Sequence, residues 1–456
     1  MIEMWLGKEA FQRGIQNYIN KFAWKNTEAS DLWDNLSAAS GKDVAAVLKS
    51  FTEQPGFPLI TASLDGKTLT LTQKRFANHG SKVTPFTWSL PVRVSYGKGS
   101  KKASTVIVLN DSSASVKLDF KPDWIFPDAD AVGYYRWNMD ADALKTLSEQ
   151  ATDVLNTRER LALISNTKAL LDAGALSGAD YINTVAQFVN DKSPQVVNYA
   201  LIFIDELKDP LVNTDNQQDW ARFIQRTFTP AVKQFGLESR EGEKENVSRL
   251  RPNLFKSLAI DGASEDLIAI SKKQAQAYLK DPKSVDSAMA ATWLRVATYF
   301  GDEALLNKTI AAFEVTTDPA TRTNLLIAIG SFNDEKVHQK AMNYILSEKV
   351  TASDVRYLLW TNAAYKHRRK RLQTWAMQNY DKLAAKLPPF VIVAVPGIVG
   401  DTCDMNDFNN FKSFIVDNGF MDKDIERSFQ KLEASVTQCV TFKSRNLKSF
   451  NQYLSQ

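Results

Sequence analysis

The sequence is poor in the residues on which metal and thiol chemistry depend, with three histidines and two cysteines in 456 residues. The histidines are His79, His338 and His367. None begins an H-E-x-x-H pattern, in which two His residues four apart on a helix bind zinc. Isolated surface histidines are the ordinary interpretation of such a set. We therefore expect no metal ligands in this chain.

Other catalytic motifs are also missing. The chain has no G-x-S-x-G elbow, no P-loop pattern and no dinucleotide fingerprint. Neither cysteine has a local His that would activate a thiolate. The closely spaced acidic pairs are typical of loops and helix caps rather than of a general acid and base. These pairs are Asp128 with Asp130 and Asp140 with Asp142. The sequence thus predicts no catalytic residue and no bound cofactor.

Charge of one sign and long apolar runs are absent as well. There are 56 basic and 52 acidic residues, a net charge of +4, which gives no general case for nucleic-acid binding. No apolar stretch approaches the roughly 20 residues of a spanning helix, and the first residues do not form a signal peptide. One basic run, Lys366-His367-Arg368-Arg369-Lys370-Arg371, is typical of a solvated helix face, although in a cavity it could attract a peptide carboxylate.

What is present is ample apolar material, 44% of the residues, which suffices for several domains. The first fifty residues follow a helical period, with Asn26 or Thr27 as a cap and Gly41 as a helix end. Because Met1 falls inside such a pattern, we expect further sequence upstream. The segment Gln54-Pro55-Gly56-Phe57-Pro58 then ends helical structure and predicts a domain boundary.

The period next changes to two, which predicts strands. Asp65-Gly66 suits a tight hairpin turn. Residues 86–96 alternate between apolar and polar side chains, which predicts one buried and one exposed face, and Pro91 indicates an edge strand or a bulge. Several short strands of this kind predict a small β-sandwich.

From about Asp140 onward the pattern is helical, with breaks at residues 172–174, 192–194 and 209–210. More than 300 residues cannot form one simple bundle. Stacked helical hairpins in an irregular solenoid, each burying its apolar face on the next, are the natural arrangement.

Several segments, in this order, resemble the zinc aminopeptidases of the aminopeptidase N type. They are Trp5-Leu6-Gly7-Lys8-Glu9-Ala10-Phe11, Asp31-Leu32-Trp33, Gln54-Pro55-Gly56-Phe57-Pro58, Trp88-Ser89-Leu90-Pro91-Val92, Gly133-Tyr134-Tyr135-Arg136-Trp137-Asn138-Met139-Asp140, Leu250-Arg251-Pro252-Asn253-Leu254 and Arg427-Ser428-Phe429-Gln430-Lys431-Leu432-Glu433. The segment from Gly133 to Asp140 resembles the family's signature that joins a β-sandwich to the large helical domain. In it, Trp137 and Met139 stand where Val and Tyr are commoner. The resemblance covers essentially the whole chain.

The resemblance implies a multidomain α+β protein that is mostly α. Residues 1–54 would be the C-terminal helices of a truncated thermolysin-like catalytic domain, 55–132 a β-sandwich, and 133–456 a HEAT-like superhelical domain. The family's G-A-M-E-N motif, zinc helix, third zinc ligand and transition-state Tyr would all precede Met1. No catalytic residue can therefore be assigned here, and zinc is implied only for the full-length parent enzyme.

By the same resemblance, the chain would form the wall of the substrate cavity and its brace in an enzyme that removes N-terminal amino acids from peptides. Its partners would be the missing N-terminal catalytic portion and a peptide, with no nucleic acid and no membrane span, and the chain alone would be inactive. The alternatives are a stand-alone solenoid that binds peptides or proteins, and a half-enzyme complemented in trans.

The two cysteines bear on location. Cys403 and Cys439 resemble paired positions in some exported Gram-negative members of the family, which implies a disulfide, and two buried free thiols are the alternative. Pairing would indicate a periplasmic or otherwise exported parent, and free thiols a cytoplasmic one.

Overall fold

The computed structural model describes residues 1–456, except for the side chain of Lys366. Its contacts divide the chain into two compact units, Met1–Phe188 and Val189–Gln456, here named unit 1 and unit 2. Most described residues are helical, and all seven strands lie in unit 1. The predicted class, α+β with mostly α, is therefore correct. Among the described residues, no helix combines the length and apolar character needed to cross a membrane.

Unit 1 begins with four helices and has three more after its strands. They are α1 Ile2–Leu6, α2 Lys8–Phe22, α3 Ala29–Ser40, α4 Val44–Thr52, α5 Ala141–Val154, α6 Thr157–Asp172 and α7 Gly178–Ala186. The first four share a small core around Leu6, Leu36 and Val44. Gly41 ends α3 in the left-handed conformation (φ 68°), as predicted. The predicted cap is wrong, because Glu28, in a reciprocal capping box with Asp31, precedes α3 instead of Asn26 or Thr27.

The strands form two sheets. They are β1 Pro58–Asp65, β2 Thr68–Arg75, β3 Leu90–Lys98, β4 Lys101–Leu109, β5 Ser113–Lys117, β6 Trp124–Phe126 and β7 Arg136–Asn138. One sheet has the order β5-β2-β1-β7 and the other β4-β3-β6. Strands β1 and β2 are antiparallel, and Asp65 pairs with Thr68, so Gly66 and Lys67 form the tight turn that was predicted.

Strand β3 explains how a proline is accommodated in a sheet. Pro91 pairs with Val108 of β4, whereas β6 pairs only with residues 95–97 of β3. At Pro91 the strand therefore has a neighbour on one side only, and the missing N–H interrupts no ladder there. The predicted buried face is correct, since Leu90, Val92, Val94 and Tyr96 are buried. The predicted exposed face is wrong at Pro91 and Ser95, which are buried as well.

Unit 2 is helical. Its helices are α8 Pro194–Asp205, α9 Lys208–Leu211, α10 Gln217–Phe235, α11 Glu245–Lys256, α12 Glu265–Lys280, α13 Ser287–Tyr299, α14 Glu303–Val315, α15 Pro319–Ile329, α16 Glu335–Tyr344, α17 Ala352–Ala363, α18 Arg369–Gln378, α19 Tyr380–Lys386, α20 Pro389–Ile392, α21 Val395–Val399, α22 Met405–Asp417 and α23 Lys423–Leu454. The break predicted at Asp209-Pro210 is instead the short helix α9, where Pro210 lies within the first turn and its missing N–H breaks no helical hydrogen bond.

The helices of unit 2 pack in two rows. Helices α8, α11, α13, α15, α17 and α21 follow one another in one row, and α12, α14 and α16 form a second row beside it. A continuous apolar core runs from Ala275 to Val436. Long helix α23 also contacts α9 and α10. Helices α10 and α23, which are distant in sequence, meet at Trp220 and Phe450, whose ring centroids are 5.8 Å apart.

Candidate functional site

The three histidines do not form a ligand set. His79 belongs to unit 1 and is exposed, whereas His338 and His367 belong to unit 2. His338 is fully buried, contrary to the expectation of a surface residue, and its Nε2 lies 2.5 Å from Asn362 Oδ1. Burial, followed by the charge of Arg368, lowers the pKa of His338 to about 3. This histidine is therefore a neutral part of the core.

Zinc, the metal that the resemblance implies for the parent enzyme, does not fit the residues of this chain. The described residues contain no cluster of three or more His, Cys, Asp or Glu side chains that could hold a metal ion. The Nε2 atom of His367 lies 2.8 Å from Asn333 Oδ1, an amide oxygen. A structural or catalytic zinc site needs at least three convergent ligands.

The acidic pairs have local roles. Asp140 accepts a hydrogen bond from Ala143 N at 2.8 Å and caps α5, as expected. Asp130 pairs with Arg93 at 2.5 Å. Asp128 is buried and accepts a hydrogen bond from Gly133 N at 2.8 Å. Burial raises the pKa of Asp128 to about 7.

The basic run is not a solvated helix face. Arg368 is fully buried and donates to the carbonyl oxygens of Ser331 at 3.1 Å and Gly330 at 3.3 Å, and also to that of Phe332. Arg369 pairs with Asp401 at 2.5 Å, and only Lys370 and His367 are exposed among the described side chains of the run. The side chain of Lys366 lies outside the described residues. The expectation fails because the run provides internal contacts.

The two cysteine sulfur atoms lie at bonding distance, with Cα atoms 5.2 Å apart. Cys403 lies in the loop between α21 and α22, and Cys439 lies midway along α23. A disulfide at this place would join the loop to the long helix within unit 2.

A recess in unit 2 brings charged groups from several helices together. Its volume is about 110 Å³, and three basic and three acidic residues line it. These residues are Lys208, Lys256, Arg295, Asp205, Asp209 and Asp261. Tyr365 and His367 form part of its wall. A wider groove of about 420 Å³ between α5 and α7 in unit 1 is lined by acidic and amide side chains together with small, apolar and hydroxyl side chains and one lysine.

One ion pair of the recess is structural. Lys208 on α9 donates to Asp261, whose side chain is only 3% exposed. Burial opposes the charge on Lys208, but the Asp261 carboxylate and its hydrogen bond offset this and raise the pKa of Lys208. A buried pair of this kind fixes the positions of both elements.

The backbone beside this pair is irregular. After α11 the chain continues as a π-helix, Ser257–Asp261, which places Ile260 and Asp261 on the recess. Ala263 follows with φ 50°, a left-handed conformation that is unfavourable for a residue with a Cβ. Local π-helices and strained residues are frequent at functional sites. The recess is therefore the candidate site.

Sequence reasoning singled out only His367 among the recess residues discussed here. Lys208, Asp205, Asp261 and Arg295 are separated by up to ninety positions, and each alone is an ordinary charged helix residue. The one local signal was Pro252 inside α11, shortly before the π-helix.

Comparison with known proteins gives the family. Residues 124–437 match the ERAP1-like C-terminal domain, and residues 1–51 match the Peptidase family M1 domain. The chain is 25% identical to "Alanine/arginine aminopeptidase" of Saccharomyces cerevisiae over 98% of its length and 52% of the relative. It is 25% identical to "Aminopeptidase 2, mitochondrial" of the same yeast over 100% of the chain and 48% of the relative. An "Aminopeptidase N" of Lactococcus lactis is 22% identical over 96% of the chain and 52% of the relative.

The chain thus spans about half the length of the curated relatives that it matches. The two family matches follow each other in chain order, the M1 domain first and the larger ERAP1-like match second. The chain therefore belongs to the M1 aminopeptidase family, of which it represents a C-terminal part.

Proposed function

We propose that this chain is the non-catalytic C-terminal portion of a zinc-dependent aminopeptidase that removes N-terminal amino acids from peptides. The observation that carries the proposal is the order of the two family matches, with residues 1–51 similar to part of the M1 domain and residues 124–437 similar to the ERAP1-like domain. The relatives are aminopeptidases by name.

Each part has a proposed role. Helices α1–α4, within residues 1–54, complete the thermolysin-like catalytic domain, and the strands within 55–132 form a β-sandwich that braces it. Residues 133–456 form a HEAT-like solenoid that makes the wall of the substrate cavity. The two rows of helices in unit 2 support the solenoid, because from α11 to α17 each helix packs on the next but one in sequence.

The zinc of the proposed enzyme would be bound by the N-terminal catalytic portion, since the described residues of this chain do not provide its ligands. That portion and the peptide substrate are the proposed partners. An exported location is proposed if Cys403 and Cys439 are bonded in the cell, and a cytoplasmic one if they are not.

The test combines activity, metal content and mass. We expect the purified chain to release no product from alanine or arginine anilides and to hold no stoichiometric zinc, because it has no zinc ligand set. The same chain joined to the N-terminal portion of its parent should hydrolyse the anilides and hold stoichiometric zinc. Hydrolysis by the chain alone, persisting after repurification and absent from a mock preparation, would contradict the proposal.

An antibody against residues 140–456 separates this function from the alternatives. A protein in the source cells much heavier than 51.1 kDa supports a complete aminopeptidase. A single species of 51.1 kDa supports instead a stand-alone peptide-binding solenoid or a half-enzyme complemented in trans.

A further inference from the structure

The recess in unit 2 is small and its charges are balanced. Its lining residues include Lys208, Lys256 and Arg295 on the basic side and three aspartates on the acidic side. A simple anion or a simple cation would meet both attraction and repulsion here.

Not all of these charges are satisfied inside the protein. Lys208 and Asp261 neutralise each other. Arg295 on α13 lines the recess and is half-buried, and its guanidinium has no ion pair or hydrogen bond with a described residue. Guanidinium groups that are partly removed from water bind carboxylates well, through two parallel hydrogen bonds.

The acidic side has a loosely held group. Asp205, at the end of α8, lies 4.0 Å from Lys256 Nζ, which is beyond hydrogen-bonding distance. Its side chain is 37% exposed. This carboxylate can therefore accept a hydrogen bond from an ammonium group without breaking a strong internal contact.

Tyr365, in the wall of the recess, has an unsatisfied hydroxyl group. The phenol oxygen of Tyr365 is buried and finds no hydrogen-bond partner among the described residues. Its ring stacks on the guanidinium of Arg368, 4.1 Å away. A buried hydroxyl without a partner is destabilising, so this part of the wall carries an energetic cost.

The size of the recess limits the ligand. A volume of about 110 Å³ has room for roughly seven water-sized groups. This matches a small α-amino acid and is too little for a folded peptide segment.

We propose that this recess binds a small free α-amino acid, with its carboxylate on Arg295 and its ammonium group on Asp205. The balanced charges of the recess match the two opposite charges of this ligand class. The inference goes beyond the proposed function, because it concerns a binding event that this chain performs without a catalytic partner. If the proposed function holds, the ligand is also the reaction product.

The first test uses three related ligands and the full chain. Ligand-observed NMR titrations with L-alanine, N-acetyl-L-alanine and L-alaninamide separate the zwitterion from the carboxylate alone and the ammonium alone. We expect saturable binding of L-alanine and at least about tenfold weaker binding of both blocked forms, since each loses one charge-assisted interaction. Equal binding of N-acetyl-L-alanine would overturn the proposal in favour of a carboxylate end only, and no saturable binding of L-alanine would overturn it outright.

The second test uses substitutions. Arg295→Gln and Asp205→Asn should each weaken L-alanine binding at least about tenfold. Arg249→Gln is the matched control, because Arg249 is 74% exposed and pairs only with Glu245 on the same helix. Circular dichroism should show all three variants folded, since the Arg295 guanidinium has no polar contact with a described residue, Asp205 lies 4.0 Å from Lys256, and Arg249 is 74% exposed. Unchanged binding in Arg295→Gln would place the ligand elsewhere and contradict the proposal.

The outcome is independent of the proposed function. A chain that binds L-alanine but is never part of an aminopeptidase retains this site, and a complete aminopeptidase whose recess binds nothing retains its activity. The two proposals therefore fail in different experiments.

Discussion

Asp128 is a carboxylate that the surrounding protein keeps from ionising. It is 7% exposed and accepts a hydrogen bond from Gly133 N. Burial raises its pKa from 3.8 to about 7. The folded protein thus holds a proton that the unfolded chain releases as the pH rises above about 4. The contribution of Asp128 to stability is fully present below that pH and is lost as the pH rises through 7.

We predict that Asp128→Asn makes unit 1 more stable at pH 8 and has little effect near pH 3.5. The amide cannot ionise, and its oxygen can still accept the hydrogen bond from Gly133 N. The gain at pH 8 should be about 4 kcal/mol, from a pKa shift of roughly three units. Urea unfolding at several pH values measures it. Asp140→Asn, at an exposed cap, is the control, and parallel pH profiles for wild type and Asp128→Asn would contradict the prediction.

Arg368 shows why a run of basic residues can wrongly predict a solvent-exposed helix face. In sequence it is one of six neighbouring basic or imidazole residues. In the fold, carbonyl groups of residues 330–332, at the end of α15, surround its guanidinium. Burial lowers the pKa of Arg368 to about 10, so it stays charged at pH 7. The acceptors are more than thirty positions away, and no local pattern reports them.

At the scale of elements, the features that could be predicted are those that depend on neighbouring residues. Gly41 ends α3 because a left-handed residue is needed there, and Gly66 serves the hairpin between β1 and β2. Pro91 predicted an edge strand, and β3 is an edge strand only near Pro91, where β6 does not pair with it. The recess could not be predicted, because Asp205 and Arg295 approach only after α8 and α13 have packed in the same unit.

A disulfide between Cys403 and Cys439, whose sulfur atoms lie at bonding distance, would fix α23 to the loop before α22. It closes a segment of 36 residues, which restricts the unfolded chain. We predict that replacing both cysteines by serine lowers the stability of unit 2 by about 2–4 kcal/mol in oxidising buffer. Urea unfolding measures the loss. In reducing buffer the wild type and the variant should become similar, and an unchanged difference there would show that the serines themselves are destabilising.

At the scale of the whole molecule, unit 2 contains contacts between helices far apart in sequence as well as between sequence neighbours. Asn216 Nδ2 donates to Asn451 Oδ1 at 2.7 Å, and Phe450 lies against Trp220. Phe223 and Tyr453 extend this contact, with centroids 5.9 Å apart. Helix α23 therefore covers apolar side chains of α10, which precedes it by about two hundred residues.

We predict that Phe450→Ala destabilises unit 2 by about 3 kcal/mol, because Phe450 is fully buried and its removal leaves a cavity beside Trp220. Phe390→Ala is the matched control, since Phe390 is 80% exposed, and its effect should stay within about 0.5 kcal/mol. Chemical unfolding followed by tryptophan fluorescence measures both. Equal losses in the two variants would show that α23 does not stabilise α10.

The contact between Asn216 and Asn451, 235 positions apart, has a consequence for how the protein is made. Helical arrays usually fold as they emerge from the ribosome, because each helix needs only its neighbours. Here α10 packs on α11 and the π-helix first and gains its contacts with α23 only later, and closing so long a loop is slow. Trp220 and Phe223 thus lack their contacts with Phe450 and Tyr453 until α23 has been synthesised, and we expect chaperones to bind this face of the nascent chain.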